Sequence, residues 1–162
     1  MKKVMIAFAA GLILASCGGN DGEKTTTTSS NESSSTNATT DNGNPPYDPN
    51  RGEGKFTNVE VSPNLNVAMA DAGEKVYTVK CAGCHKLTDE RVVGPGWQDV
   101  TKRHTAEWIM NFSTNTDVML DKDPKAQAQL EICLVRMPNQ NLTDDDARNV
   151  YEFMRKNDGV KP

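Results

Sequence analysis

Histidine and aromatic residues are scarce in this chain: two histidines in 162 residues, and 6% Phe, Trp and Tyr. With so few imidazoles, no ready pair of acid and base groups stands out for catalysis. The apolar run Val4 to Leu14 falls short of the roughly 20 residues that a membrane-crossing helix needs. Basic residues are outnumbered, 18 Lys and Arg against 22 Asp and Glu, and the formal charge of -4 is interspersed. That balance fits neither a nucleic-acid binder nor a polybasic membrane patch. The four cysteines do not form a disulfide framework, and no second ligand pair has the spacing of a structural zinc site. Apolar residues are only 36% of the chain, and the deficit lies mostly in its first third. The length allows one domain and leaves little for a second.

What is present is organised around Cys81-Ala82-Gly83-Cys84-His85, a C-x-x-C-H run that signals covalent attachment of a c-type haem. On a helix the two thiols and the imidazole stand at i, i+3 and i+4 and project from one face toward one flat partner. Cys81 and Cys84 can then form thioethers with the porphyrin, and His85 reaches the iron as fifth ligand. A redox or zinc C-x-x-C is the competing reading, but the βαβ setting of a thioredoxin-type motif is missing.

Upstream, Lys2 and Lys3 precede the apolar run as in a signal peptide. The end of that run, Leu14-Ala15-Ser16-Cys17, resembles the lipobox of bacterial lipoproteins. Residues 1–17 are therefore expected to be a lipoprotein leader, with membrane lipid attached through Cys17. Residues 18–56, rich in Ser, Thr, Asn and Gly, read as a disordered tether with a root-mean-square reach of about 30 to 40 Å. Residues 57–162 remain for the folded domain, beginning with an irregular lead-in from Phe56 to Val67.

Within the domain, Ala70 to His85 is expected to be a helix carrying Gly73, Val76 and Tyr77 on one stripe. Gly73 costs about 1 kcal/mol relative to alanine inside a helix, which points to close approach by another helix. The candidate is Asp144 to Lys156, whose Ala147, Val150, Tyr151 and Met154 recur at helical spacing, with Thr143 as N-cap and three aspartates at the positive end of the dipole. Thr105 can cap a helix bearing Trp108, Ile109 and Phe112. After a polar turn from Ser113 to Asp117, Asp123 and Pro124 open another helix with Ala126, Leu130, Cys133 and Leu134 facing inward. A buried indole normally finds an acceptor, so Trp97 or Trp108 is placed to bond a haem propionate.

Four signals stand in order: Gly73-Glu74-Lys75-Val76-Tyr77 before the haem motif, Gly94-Pro95 after it, Met137-Pro138 late, and a final helix with Val150 and Phe153. From about Ala70 to Lys156 this pattern resembles a class I cytochrome c. The resemblance implies an all-α fold whose first and last helices cross around one covalent haem c. It further implies a carbonyl, that of Pro95, holding the outer nitrogen of His85, and His85 and Met137 as axial ligands; His104 and Cys133 are the alternatives for the sixth position. Arg136-Met137-Pro138-Asn139-Gln140-Asn141-Leu142-Thr143, Val93-Gly94-Pro95-Gly96-Trp97 and Glu107-Trp108-Ile109-Met110-Asn111 are similar to a narrower group, the small lipoprotein cytochromes c that accompany nitrous oxide reductase in Bacteroidetes.

Neutral, soft sulfur favours ferrous over ferric iron, so Met137 predicts a high-potential carrier. With both axial positions filled, the expected task is to pass single electrons without catalysis or proton transfer. The expected setting is the periplasm-facing bacterial cell envelope, inner or outer membrane undetermined, with a quinol-oxidising complex as donor and a periplasmic reductase, such as nitrous oxide reductase, as acceptor. A haem sensor or haem enzyme with a labile sixth ligand is the alternative, and a metal-handling lipoprotein using Cys81, Cys84 and His85 a third.

Overall fold

The computed structural model describes residues 47–162. Cys17, the leader and the tether as far as residue 46 lie outside the described residues. Six helices follow one another: α1 Val67–Lys80, α2 Val100–Arg103, α3 Ala106–Thr114, α4 Thr116–Lys122, α5 Pro124–Cys133 and α6 Asp144–Asn157. Among the described residues there is no strand, only an isolated bridge between His85 and Arg91. No helix of these residues is long and apolar enough to cross a membrane.

The frame is the crossing of α1 and α6. Helix α1 begins at Val67, upstream of the expected Ala70, because the Asn66 side chain accepts the Met69 N–H as an N-cap. Helix α6 begins behind Thr143, whose hydroxyl and the Asp146 carboxylate satisfy each other's backbone N–H in a capping box. Its predicted stripe, Ala147, Val150, Tyr151, Phe153 and Met154, is buried. Where the helices meet, a Cβ on Gly73 would overlap the Asn149 backbone carbonyl. The missing side chain is what permits the crossing, and the Tyr77 and Phe153 rings close over it at 5.2 Å.

The same crossing buries charge that the apolar stripe does not reveal. Glu152 is fully buried and accepts from Arg148 (2.7 Å), Arg155 (2.7 Å) and the Asn66 N–H (2.8 Å). Arg155 in turn donates to the Ser62 carbonyl at 2.6 Å. One carboxylate thus fixes the start of α1 and the segment preceding it, with its lone pairs satisfied as a buried charge requires.

Helices α3 and α5 start at their expected caps, Thr105 and Asp123, with Pro124 in the first turn of α5. The polar turn expected from Ser113 to Asp117 is instead helical on both sides of Asn115. The Thr114 and Thr116 hydroxyls donate back to the carbonyls of Met110 (2.7 Å) and Phe112 (3.0 Å), so they do not compete for a turn.

Ahead of α1 the chain is an irregular strap, as expected from Phe56 onward. The strap also includes residues 47–56, which the sequence reading places in the tether. Tyr47 donates to Asp123 at 3.0 Å, Lys125 to the Pro49 carbonyl at 2.7 Å, and Thr105 to the Asn50 carbonyl. Asn111, fully buried, donates to the carbonyls of Arg51 and Phe56 and accepts the Phe56 N–H. These hydrogen bonds replace the apolar burial that the segment lacks.

Candidate functional site

Helix α1 stops at Lys80 with Cys81 as its C-cap, so the C-x-x-C-H run lies beyond the regular helix rather than on it. The N–H groups of Cys81 and Ala82 share the Tyr77 carbonyl, and those of Cys84 and His85 share the Cys81 carbonyl. That doubling tightens the chain into a turn. The Tyr77 hydroxyl donates to the His85 carbonyl at 2.8 Å and folds the end of the motif back onto α1. The intended outcome survives the change of geometry, since Cys81, Cys84 and His85 all line one cavity.

His85 is oriented by two neighbours. Its Nδ1 lies 2.8 Å from the Pro95 carbonyl, which can only accept, so Nδ1 carries the proton and Nε2 keeps its lone pair free for a metal. Burial pushes the imidazole below the usual histidine range, against the pull of the Pro95 bond. The ring is therefore neutral at pH 7. Gly94 passes directly against the imidazole, and a Cβ there would overlap its ring atoms. Trp97 completes the wall, 5.5 Å from His85 and 4.9 Å from Tyr77 between ring centroids.

The cavity is partly open and measures about 100 Å³, with an adjoining lobe of about 320 Å³. Val100, Ile109, Phe112, Leu142, Val150 and Met154 supply apolar wall. An adjoining lobe is lined by Leu120, Leu130, Cys133 and Val135, and Met137 belongs to both. The loop carrying Met137 is pinned at several points. Lys80 donates to the Gln140 carbonyl at 3.1 Å, and Arg136 reaches Asp121 (3.0 Å) and Asp117 (3.5 Å). Leu134 and Asn141 bracket it at φ of 60° and 50°. The left-handed turn at Leu134 rotates that side chain outward, to 83% exposure, off the inner stripe where its spacing puts it. Cys133 is half-buried rather than buried and faces the lobe.

Of the other described methionines, Met110 and Met119 fill the core, and the Met119 sulfur accepts the Glu53 N–H of the strap at 3.0 Å. Met154 touches the cavity from within α6. His104, the sequence alternative to Met137, stacks on Trp108 at 4.0 Å with its Nε2 3.3 Å from Gln129 Nε2. Among the described residues two buried side-chain polar atoms have no partner, His104 Nδ1 and Trp108 Nε1. Both residues line the cavity.

A haem fits this set. Two thiols and a neutral imidazole share a wall, a thioether is available, the lining is mostly apolar, and an indole N–H awaits an acceptor such as a carboxylate. A zinc site or a reactive C-x-x-C dithiol fits poorly: burial pushes the Cys81 thiol up to about 11, and among the described residues no three His, Cys, Asp or Glu side chains are grouped to hold a metal. The part of Gly94 and the His104–Trp108 stack are absent from the sequence reading. Only the i, i+4 spacing of His104 and Trp108 across the start of α3 hints at the stack.

Residues 70–158 match the cytochrome c family. The structure is similar to cytochrome c from Rhodothermus marinus, 30% identical over 65% of this chain and 90% of that one, with a TM-score of 0.63. An engineered form of that cytochrome, and one bound to a carbene intermediate, match at the same identity and coverage with TM-scores of 0.62 and 0.59. Comparison with curated proteins gave no match. With the family pattern matched over more than half of its length, the chain belongs to the cytochrome c family and has the all-α class I fold built around covalent haem c for electron transfer.

Proposed function

We propose that this cytochrome is a membrane-tethered carrier that moves single electrons through a haem held by Cys81, Cys84, His85 and Met137. The observation that carries the reading is the fixed His85 tautomer, with Nε2 left free in a cavity that Met137 also lines. When bound, haem c supplies an iron that alternates between ferric and ferrous states. Cys81 and Cys84 hold the ring covalently. His85 is kept neutral and oriented by Pro95, whose carbonyl raises the basicity of Nε2 toward the metal. Met137 would supply the thioether ligand, from a loop pinned from α1 and α4. His104 is engaged by Trp108 and Gln129, which disfavours it as a ligand.

The mostly apolar walls would shelter the haem, and the unpartnered Trp108 indole N–H would be available to one of its carboxylates. Val92, Val93, Ile132 and Val135 stand exposed, with Arg91 bonded to the Ile132 carbonyl, and would offer apolar surface to a redox partner. The chain is anchored to lipid through Cys17 and faces the periplasm. It accepts electrons from a quinol-oxidising complex and passes them to a periplasmic reductase, for which nitrous oxide reductase is the reading favoured by the loop sequences.

In the Met137→Ala holoprotein the sulfur-to-iron charge-transfer band disappears and the reduction potential falls; an unchanged spectrum transfers the role to another residue. The Rhodothermus marinus form with a carbene intermediate motivates a second reading, a haem enzyme or sensor whose sixth ligand is labile. Carbon monoxide binding to the reduced native protein selects that reading, and no binding selects the carrier.

A further inference from the structure

The two segments that carry the proposed axial ligands are joined by one side chain. Arg91 sits in the loop that follows His85, and its backbone pairs with that of His85 in an antiparallel bridge. From the same residue the guanidinium reaches α5 and donates to the Ile132 carbonyl at 2.6 Å. Ile132 lies in the last turn of α5, five residues before Met137. The last carbonyls of a helix lack partners within it, and cations are favoured at that negative end. Helix α5 has no basic residue in its own last turn, so Arg91 supplies the cation from another part of the chain.

The bond falls where the chain changes direction. Just after Ile132 and Cys133, the left-handed residue Leu134 (φ 60°) ends α5 and redirects the backbone. Fixing the Ile132 carbonyl therefore fixes the point from which the Met137 loop departs. The other ties on this loop come from α1, where Lys80 donates to the Gln140 carbonyl, and from α4, whose Asp117 and Asp121 hold Arg136. Of these ties, that of Arg91 comes from the segment of the opposite ligand. Both segments line the lobe of about 320 Å³, Val93 and Pro95 from one and Cys133, Val135 and Met137 from the other.

Resting on the reading of His85 and Met137 as axial ligands, we infer that Arg91 is a positioning residue for the sixth ligand. Its bond to Ile132 holds the two ligand segments at a fixed span and keeps Met137 from being exchanged for a ligand from solution. Arg91 acts through the α5 backbone rather than on the metal. With the bond removed, the loop departs from a helix end that is free to shift, and the lobe opens more often. An outside ligand binds only the open form, so its apparent affinity scales with the fraction that is open. One hydrogen bond from a charged group at an exposed position changes that fraction by about threefold to tenfold.

The test is an imidazole titration of the ferric holoprotein, followed by loss of the sulfur-to-iron band. An imidazole nitrogen takes the place of the Met137 sulfur at the metal, and no electron or proton is transferred. Arg91→Met keeps most of the side chain and removes its donors. It is expected to bind imidazole about threefold to tenfold more tightly than the native protein, with covalent haem retained. Arg91→Lys, which keeps a cationic donor, falls between the two. Lys156→Met removes a surface tie from α6 to Asp71 and Glu74 of α1 and leaves the imidazole affinity unchanged. Native affinity in Arg91→Met overturns the inference, and so does an equal gain in Lys156→Met, which marks general loosening. Arg91 is exposed, so its variants are expected to fold, and Arg91→Gln repeats the measurement with a side chain too short to reach Ile132. A native holoprotein without the sulfur-to-iron band overturns the ligand reading itself, before any variant is made.

Discussion

Gly94 carries a requirement that a turn alone does not impose. Its backbone lies where a side chain would overlap the His85 ring, whose Nδ1 must stay 2.8 Å from the Pro95 carbonyl. Gly94→Ala is expected to tilt the imidazole, weaken that bond and destabilise the holoprotein by about 1 to 3 kcal/mol, read from the denaturant midpoint, with a shifted Soret band. Glu152 gives a pH dependence of known sign. Burial raises its carboxyl, but the bonds from Arg148, Asn66 and Arg155 outweigh this and hold it below its usual 4.5. The stabilisation is complete above about pH 4.5 and is lost as pH falls and Glu152 protonates. Glu152→Gln should lose on the order of 3 kcal/mol at neutral pH and show a flatter acid limb in urea melts at successive pH values. The thiols and imidazole of the motif were legible because their spacing alone encodes them. Asn111 acts through groups distant in sequence, and Glu152 joins nearby Arg148 and Arg155 to the distant Asn66 N–H, a meeting that local pattern does not signal.

At the scale of elements, the decisive contact is a backbone one. Gly73→Ala gains about 1 kcal/mol of helix propensity, yet its Cβ meets the Asn149 carbonyl of α6. The crossing must widen, and a net loss of about 1 to 3 kcal/mol in thermal unfolding is expected. No net loss in Gly73→Ala would mean that α1 and α6 can part at the crossing without cost. Helix starts were readable because Thr105, Asp123 and Thr143 act on their own first turns. Helix α4 was not, because a run of Ser, Thr and Asn reads as a turn until buried Thr116 finds the Phe112 carbonyl. The end of α1 was also misplaced, since the doubled acceptors at Tyr77 and Cys81 arise from the fold-back secured by the Tyr77 hydroxyl.

At the scale of the molecule, α2, α3, α5, α6 and the Met137 loop line a cavity, so part of the interior is completed only by what binds there. A group bound by the folded chain and not by the unfolded one stabilises by mass action. Protein made with Cys81→Ala and Cys84→Ala, without attached haem, should unfold at lower denaturant and with a smaller m-value. A near-ultraviolet circular dichroism signal equal to the holoprotein's would contradict this dependence. The strap is part of the same design: through Asn111 and Asp123 it braces α3 and α5, which form one side of the cavity.

The chain's order of residues was enough to place the haem-attachment motif, the helix caps and the helix pair marked by Gly73, because each depends on neighbours within a few positions or on a fixed period. Tertiary structure decided which nitrogen of His85 is free, which buried donors need an acceptor, and that residues 47–56 are bound to the helices. Those outcomes depend on groups from ten to more than seventy residues apart becoming neighbours, and only the three-dimensional path of the chain specifies such meetings.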